Sequence, residues 1–107
     1  MDFEYPEVPV DALELLKRTA FGDTGGSQAA RYFLFWAVGR DDPTGYRGDG
    51  ISELRRLDGA HTKAALSVLN WMTGPIESNQ PLHDVLDALQ ARFQPVATPG
   101  FDLEPTS

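Results

Sequence analysis

The segment "ALELLKRTAFGDTGGSQAARYFLFW", residues 12–36, contains two helical patterns that meet at one glycine-rich junction, and it therefore indicates a helical fold. Before the junction, apolar residues recur at helical spacing at Val10, Leu13, Leu16 and Ala20. After it, Ser27 is a candidate N-cap for "QAARYFLFWAV", which runs to Gly39. The apolar run 32–38 could also form a buried strand, but the residues that lead into it and the total length favour a helix.

Three further helices are expected later in the chain. The turn-rich residues 39–52 predict a loop, followed by a short helical turn over residues 53–57. Asp58 is the predicted N-cap of a longer helix, "GAHTKAALSVLNWMT", which ends at Gly74-Pro75. Pro81 opens the last helix, whose apolar residues have the clearest helical spacing in the chain: Leu82, Val85, Leu86, Leu89 and Phe93.

These patterns predict an all-α protein, a compact bundle of four main helices plus one short helix. Its 107 residues suffice for one core. We expect an extended acidic N-terminal arm at residues 1–8, a single helical domain at residues 9–95 and a flexible C-terminal tail at residues 96–107.

The net charge of −7 is concentrated at the two ends of the chain. Residues 1–14 contain five acids and no base, residues 93–107 contain two acids and no base, and the residues between contain nine of each. Without a basic face, direct nucleic-acid binding is not expected. The chain has no cysteine, no long apolar run and an acidic start unlike a signal peptide, so we expect a cytoplasmic protein that does not cross a membrane.

Asp-Thr-Gly is also the tripeptide that carries the catalytic carboxylate of retroviral-type aspartic proteases. Those enzymes pair two such loops, each between β-strands, so that two carboxylates share one proton. Here helical sequence flanks Asp23 on both sides. We therefore predict a structural junction in which Gly22 ends the first helix in a left-handed conformation and Thr24 or Ser27 caps the second.

The same junction could bind an anion at the free N–H groups of a helix N-terminus. A nucleotide-binding P-loop, however, needs a lysine that is missing here. The candidate residues for either the anion site or the structural junction are Gly22, Asp23, Thr24, Gly25, Gly26 and Ser27.

No catalytic residue, cofactor or metal site is predicted from the sequence. Asp58 and His61 lie three residues apart, and His83 and Asp87 lie four apart, so each pair could share a helix face. Two such pairs on separate helices do not form a recognisable ligand set.

Aromatic residues supply a candidate protein interface. An eleven-residue helix that is apolar on nearly all sides is hard to cover with three neighbours. We therefore expect part of this surface to face a protein partner or a second copy of the chain. The candidate residues are Tyr32, Phe35, Trp36 and, on a later helix, Trp71.

The quoted segment resembles the opening of a small, uncharacterised protein family found mainly in proteobacteria and often carried on integrative and conjugative elements. The resemblance covers roughly residues 12–95 and is most specific at the Gly-Asp-Thr-Gly-x-Ser junction. It implies a bacterial accessory protein and supplies no catalytic residue. The matching positions are Ala12, Leu13, Leu16, Gly22, Asp23, Thr24, Gly25, Ser27, Phe33, Leu34 and Trp36.

Three functions follow as hypotheses. The first is a non-enzymatic protein-interaction or accessory module, with a protein partner or a homo-oligomer. The second is an acidic inhibitor of a nucleic-acid enzyme, of the anti-CRISPR or anti-restriction type, whose acids would have to cluster on the folded body. The third is an enzyme that uses Asp23.

Overall fold

The structure, a computed structural model, describes residues 5–93. Over that range it is all-α and contains no β-strand. The predicted class, with four main helices and one short one, is therefore confirmed, while residues 1–4 of the predicted arm and the predicted tail 96–107 lie outside the described residues. The elements are α1 Val10–Ala20, α2 Gly25–Trp36, a 3₁₀ helix Gly50–Arg56, α3 Gly59–Met72 and α4 Gln80–Phe93.

All four α-helices contribute to one hydrophobic core. Leu13 and Leu16 come from α1, at the spacing that the sequence predicted. The largest fully buried side chains are Leu16, Phe33, Leu34, Phe35, Val68, Leu82, Leu86 and Leu89. Val10, by contrast, is 64% exposed because it begins α1 at the edge of the bundle.

Helix α1 packs against all three other α-helices, α2, α3 and α4. The apolar character of α2 predicts a helix in the centre of a bundle or under a partner. In the structure α1 lies on one side of α2, α4 packs nearby, and the 3₁₀ helix covers much of the remainder. The 3₁₀ helix, which the sequence predicted only as a short helical turn, therefore covers the side of α2 that another long helix would otherwise have to cover.

The α1–α2 junction is built by close packing rather than by a left-handed glycine. Gly22 does not have a positive φ, so that prediction is wrong. The close packing nevertheless favours glycine at this position, because an added Cβ would lie 2.6 Å from Ser27 Oγ and the hydroxyl would have to shift. Thr24 is the N-cap, and its Oγ1 accepts a hydrogen bond from the Ser27 backbone N–H at 3.0 Å.

The C-terminal end of α2 is closed by Gly39. Its φ is 72°, and its N–H donates to the Trp36 carbonyl while the Arg40 N–H donates to the Phe35 carbonyl. These two bonds form a Schellman motif, which satisfies carbonyls that a helix end leaves without partners. The motif also directs the following loop back along α2.

The start of α3 follows the prediction, since Asp58 accepts a hydrogen bond from the His61 backbone N–H at 2.9 Å. Among residues 5–93, no helix is long and apolar enough to cross a membrane.

Candidate functional site

An open hollow of about 450 Å³ lies between the end of α2 and the loop that follows it. We call it the aromatic hollow. It is lined by Tyr32, Trp36, Gly39, Arg40, Asp41, Asp42, Pro43, Gly45, Tyr46 and Arg47.

Helix α2 supplies one wall of the aromatic hollow. Tyr32 and Trp36 lie four residues apart, so they share a helix face. Trp36 is 39% exposed, and its indole lies against Gly50 at the start of the 3₁₀ helix. An added Cβ at Gly50 would lie 2.8 Å from the Trp36 indole nitrogen, and the φ of 67° also favours glycine there.

A buried ion pair holds the loop against α2. Arg31 Nε lies 3.8 Å from Asp42 Oδ2, and both atoms are buried. Neither of these two atoms has a hydrogen-bond partner among the described residues. The other Asp42 oxygen accepts bonds from the Thr44 N–H at 2.8 Å and the Thr44 hydroxyl at 2.6 Å. Arg31 also donates to the Ala20 carbonyl at 3.0 Å, so one side chain links the α1 end, α2 and the loop.

The opposite wall is formed by Tyr46, whose ring packs edge-on against Tyr32 with the centroids 5.5 Å apart. The Tyr46 hydroxyl donates a hydrogen bond to Oε1 of the buried Glu53 at 3.1 Å. The same hydroxyl accepts a hydrogen bond from Arg56 Nη1 at 2.7 Å. Partial desolvation and the Glu53 carboxylate raise the pKa of the Tyr46 phenol, and Arg56 offsets this only in part. The phenol therefore stays protonated and keeps its hydrogen bond to Glu53.

The rim of the aromatic hollow carries charge of both signs. Arg47 and Asp41 are exposed and make no hydrogen bond or ion pair with any residue between 5 and 93. Arg40 is anchored, with its Nη1 at 3.1 Å from His83 Nδ1 and 3.2 Å from Asp87 Oδ1. A free guanidinium beside three aromatic rings can contact a carboxylate or a ring of a bound molecule.

The structure brings together only half of the predicted interface. Tyr32 and Trp36 line the aromatic hollow, but Phe35 is fully buried and Trp71 is 5% exposed. These two rings fill the core and cannot form a surface in the folded monomer. Sequence analysis missed the residues that complete the hollow from the loop, namely Arg40, Tyr46 and Arg47, because no periodic pattern relates a loop side chain to a helix face.

The Gly22–Ser27 junction forms a smaller hollow of about 320 Å³, lined by Gly22, Asp23, Thr24, Gly25, Gln28, Arg31 and Phe93. Its cation, Arg31, is already engaged by Asp42 and the Ala20 carbonyl and lies 4.1 Å over the Phe93 ring. Asp23 is exposed, and no second carboxylate pairs with it among residues 5–93. This geometry fits a structural junction and gives an anion no free side-chain cation.

The two histidines take part in contacts between elements. His61 Nδ1 lies 2.7 Å from Asp58 Oδ1, and its Nε2 lies 2.6 Å from Thr19 Oγ1, so it links α3 to α1. His83 links α4 to Arg40. Within the described range, no three His, Asp or Glu side chains come close enough to hold a metal ion.

In comparisons with models of known protein families, with curated proteins and with solved structures, nothing matches this chain.

Proposed function

We propose that this chain is a non-enzymatic protein-interaction module and that the aromatic hollow is its contact surface. The observation that carries the proposal is the composition of the lining: two tyrosines, one tryptophan and two arginines meet at one surface. Tyr, Trp and Arg are the residue types enriched at the energetically dominant positions of protein interfaces.

The contacts that hold the side chains of the aromatic hollow support the same proposal. Trp36 lies on Gly50, Tyr46 is held by Glu53 and Arg56, and the loop is held by Asp42. A surface whose side chains are already ordered loses less conformational entropy when a partner binds. Such a wall therefore suits recognition better than a mobile loop would.

The acidic-inhibitor alternative receives less support from the described residues. A phosphate mimic needs unpaired carboxylates, yet several acids of the body already serve internal contacts. Asp42 pairs with Arg31, Glu53 with Arg56, and Asp87 with Arg40. The resemblance to a family carried on mobile elements remains a prediction that is compatible with an accessory role.

Arg47 is the residue best suited to a test, because its removal breaks no hydrogen bond or ion pair among residues 5–93. The full-length protein would carry a photo-crosslinking amino acid at position 41, on the rim of the aromatic hollow, and would be irradiated in its native host. We expect a discrete crosslinked protein, whose affinity for the purified chain is then measured. Arg47→Ala should weaken that affinity by about tenfold, the loss typical of an interface residue worth about 1.4 kcal/mol.

The matched control is Arg55→Ala, since Arg55 is also exposed and also makes no hydrogen bond or ion pair among residues 5–93. It lies outside the aromatic hollow and should leave the affinity unchanged. Equal affinities for Arg47→Ala and Arg55→Ala would contradict the proposal. A crosslink between two copies of the chain would identify the partner as a second copy.

A further inference from the structure

One residue of the aromatic hollow is held in place by a histidine on another helix. Arg40 lines the hollow, and its Nη1 lies 3.1 Å from His83 Nδ1 and 3.2 Å from Asp87 Oδ1. Its guanidinium carbon also lies 5.4 Å from the centroid of the buried Phe35 ring. The position of Arg40 therefore depends on groups behind the hollow, on α4 and in the core.

The direction of the Arg40–His83 hydrogen bond fixes the state of the imidazole. A guanidinium has only donors, so His83 Nδ1 must accept the bond with its lone pair. The ring is then neutral and carries its proton on Nε2. A second proton could only be added at Nδ1, the atom that contacts Arg40.

We propose that His83 acts as a pH-responsive latch on Arg40: the neutral ring holds the guanidinium in its place at the rim of the aromatic hollow, and protonation displaces it from that place. Protonation turns the acceptor into a donor and places two cations at a hydrogen-bond distance, which is repulsive. Histidine is the side chain whose charge ordinarily changes between pH 5 and 8. The biological consequence, pH-dependent partner binding, rests on the function proposed above.

The charged groups around His83 favour this outcome. On its own helix, Asp87 contacts Arg40 and is the carboxylate for which both cations would compete, while Asp84 accepts a hydrogen bond from Gln80. The segment after α2 contributes Arg40 itself. From α1 and α2, which also pack on α4, no charged side chain forms a hydrogen bond or ion pair with His83. With one shared carboxylate, the two cations cannot both keep their present positions.

The other histidine provides an internal control. His61 Nδ1 faces a carboxylate, so it donates to Asp58, and its Nε2 faces a hydroxyl, which can either donate or accept. Both contacts survive protonation. The chain has two histidines in all, so the two titrations can be followed separately.

The test is an NMR titration of the full-length protein alone from pH 8 to pH 5. It follows the ring signals of both histidines, the side-chain N–H of Arg40 and the indole N–H of Trp36. We expect the Arg40 and Trp36 signals to move with the midpoint of His83. In His83→Gln, whose amide oxygen can still accept from Arg40 but does not titrate, this movement should be lost, whereas His61→Gln should retain it.

Arg40 and Trp36 signals that stay constant while His83 titrates, or that still move in His83→Gln, would overturn the latch. The wild-type titration alone shows whether the Arg40 and Trp36 signals follow His83, even if His83→Gln folds poorly. Because no partner is present, this experiment is independent of the Arg47→Ala measurement. A working latch with no effect of Arg47→Ala would refute only the docking surface, and a flat titration with a tenfold effect of Arg47→Ala would refute only the latch.

Discussion

At the residue scale, Gly50 shows how one position can set the shape of the aromatic hollow. Its φ is 67°, and an added Cβ would lie within 2.8 Å of the Trp36 indole. Gly50→Ala should therefore lower the free energy of unfolding by more than the roughly 1–2 kcal/mol of a left-handed backbone alone, because it also displaces Trp36. Urea denaturation, monitored by circular dichroism, measures the loss.

Gly45→Ala is the matched control for that prediction. Gly45 has a similar φ of 82°, yet an added Cβ there meets nothing within 4 Å. Gly45→Ala should therefore lower the free energy of unfolding only by the cost of the left-handed backbone. Equal destabilisation by the two substitutions would show that Trp36 is not seated on Gly50.

The buried Arg31–Asp42 pair is the second residue-scale feature that can be tested. Asp42→Ala leaves the Arg31 guanidinium buried without its counter-ion, and breaking such a pair costs about 3–5 kcal/mol. The double variant Arg31→Met with Asp42→Ala removes both charges and should be less destabilised than the single one. A double variant that is worse than Asp42→Ala would mean that the packing of Arg31 on Phe93 and its bond to Ala20 matter more than the charge.

At the scale of elements, the start of α2 depends on the Thr24 hydroxyl. Thr24→Ala removes the bond to the Ser27 N–H and should lower the free energy of unfolding by about 1 kcal/mol. Thr24→Ser keeps the hydroxyl and should restore most of this stability. Asp23→Asn should change the free energy of unfolding by less than about 0.5 kcal/mol, as expected of an exposed residue that makes no hydrogen bond or ion pair among residues 5–93.

Equal stabilities of the Thr24→Ala and Thr24→Ser proteins would remove the capping role. A large loss in Asp23→Asn would show that Asp23 has a structural or chemical role that its exposed position does not explain.

Helix α3 should make stability depend on pH through its N-cap. The backbone N–H of His61, and then its imidazole, donate to Asp58 and lower the pKa of that carboxyl. A group whose pKa is lower in the folded state stabilises the fold above its unfolded value, near pH 4, and this contribution is lost as the pH falls through the folded value. Asp58→Asn can still cap the helix but cannot titrate there.

Urea denaturation at several values between pH 5 and pH 2.5 measures this effect. The wild-type protein should lose stability more steeply than Asp58→Asn as the pH falls. Parallel curves for the two proteins would exclude a contribution of Asp58 to acid unfolding.

At the scale of the whole molecule, the single core predicts cooperative unfolding. All four helices meet in one cluster, and α1 contacts each of the other three. Loss of any helix therefore exposes the others, and small single-core domains usually unfold in one step. Far-UV circular dichroism, which reports helix content, and near-UV circular dichroism, which reports aromatic packing, should give coincident transitions. Separate midpoints would show two independently folding parts.

The helices could be predicted from the sequence, since their apolar spacing, the cap at Asp58 and the stop at Gly74-Pro75 act within one or two turns of the chain. The sequence left the cap of α2 open between Thr24 and Ser27, and it could not show what covers each helix or which aromatic rings stay at the surface. Phe35 and Trp36 are neighbours of similar polarity, yet one is buried and the other is 39% exposed. The difference comes from what packs on each face of α2.

The aromatic hollow, in contrast, depends on how separate elements pack together. It is held by contacts beyond the reach of a helical repeat: Arg31 and Asp42 are 11 positions apart, and Arg40 and His83 are 43 positions apart. No local pattern encodes such pairs, because they form only after the core has fixed how the helices and the loop lie against one another. The helices follow from interactions between residues close in sequence, and the candidate site follows from interactions between separate elements of the fold.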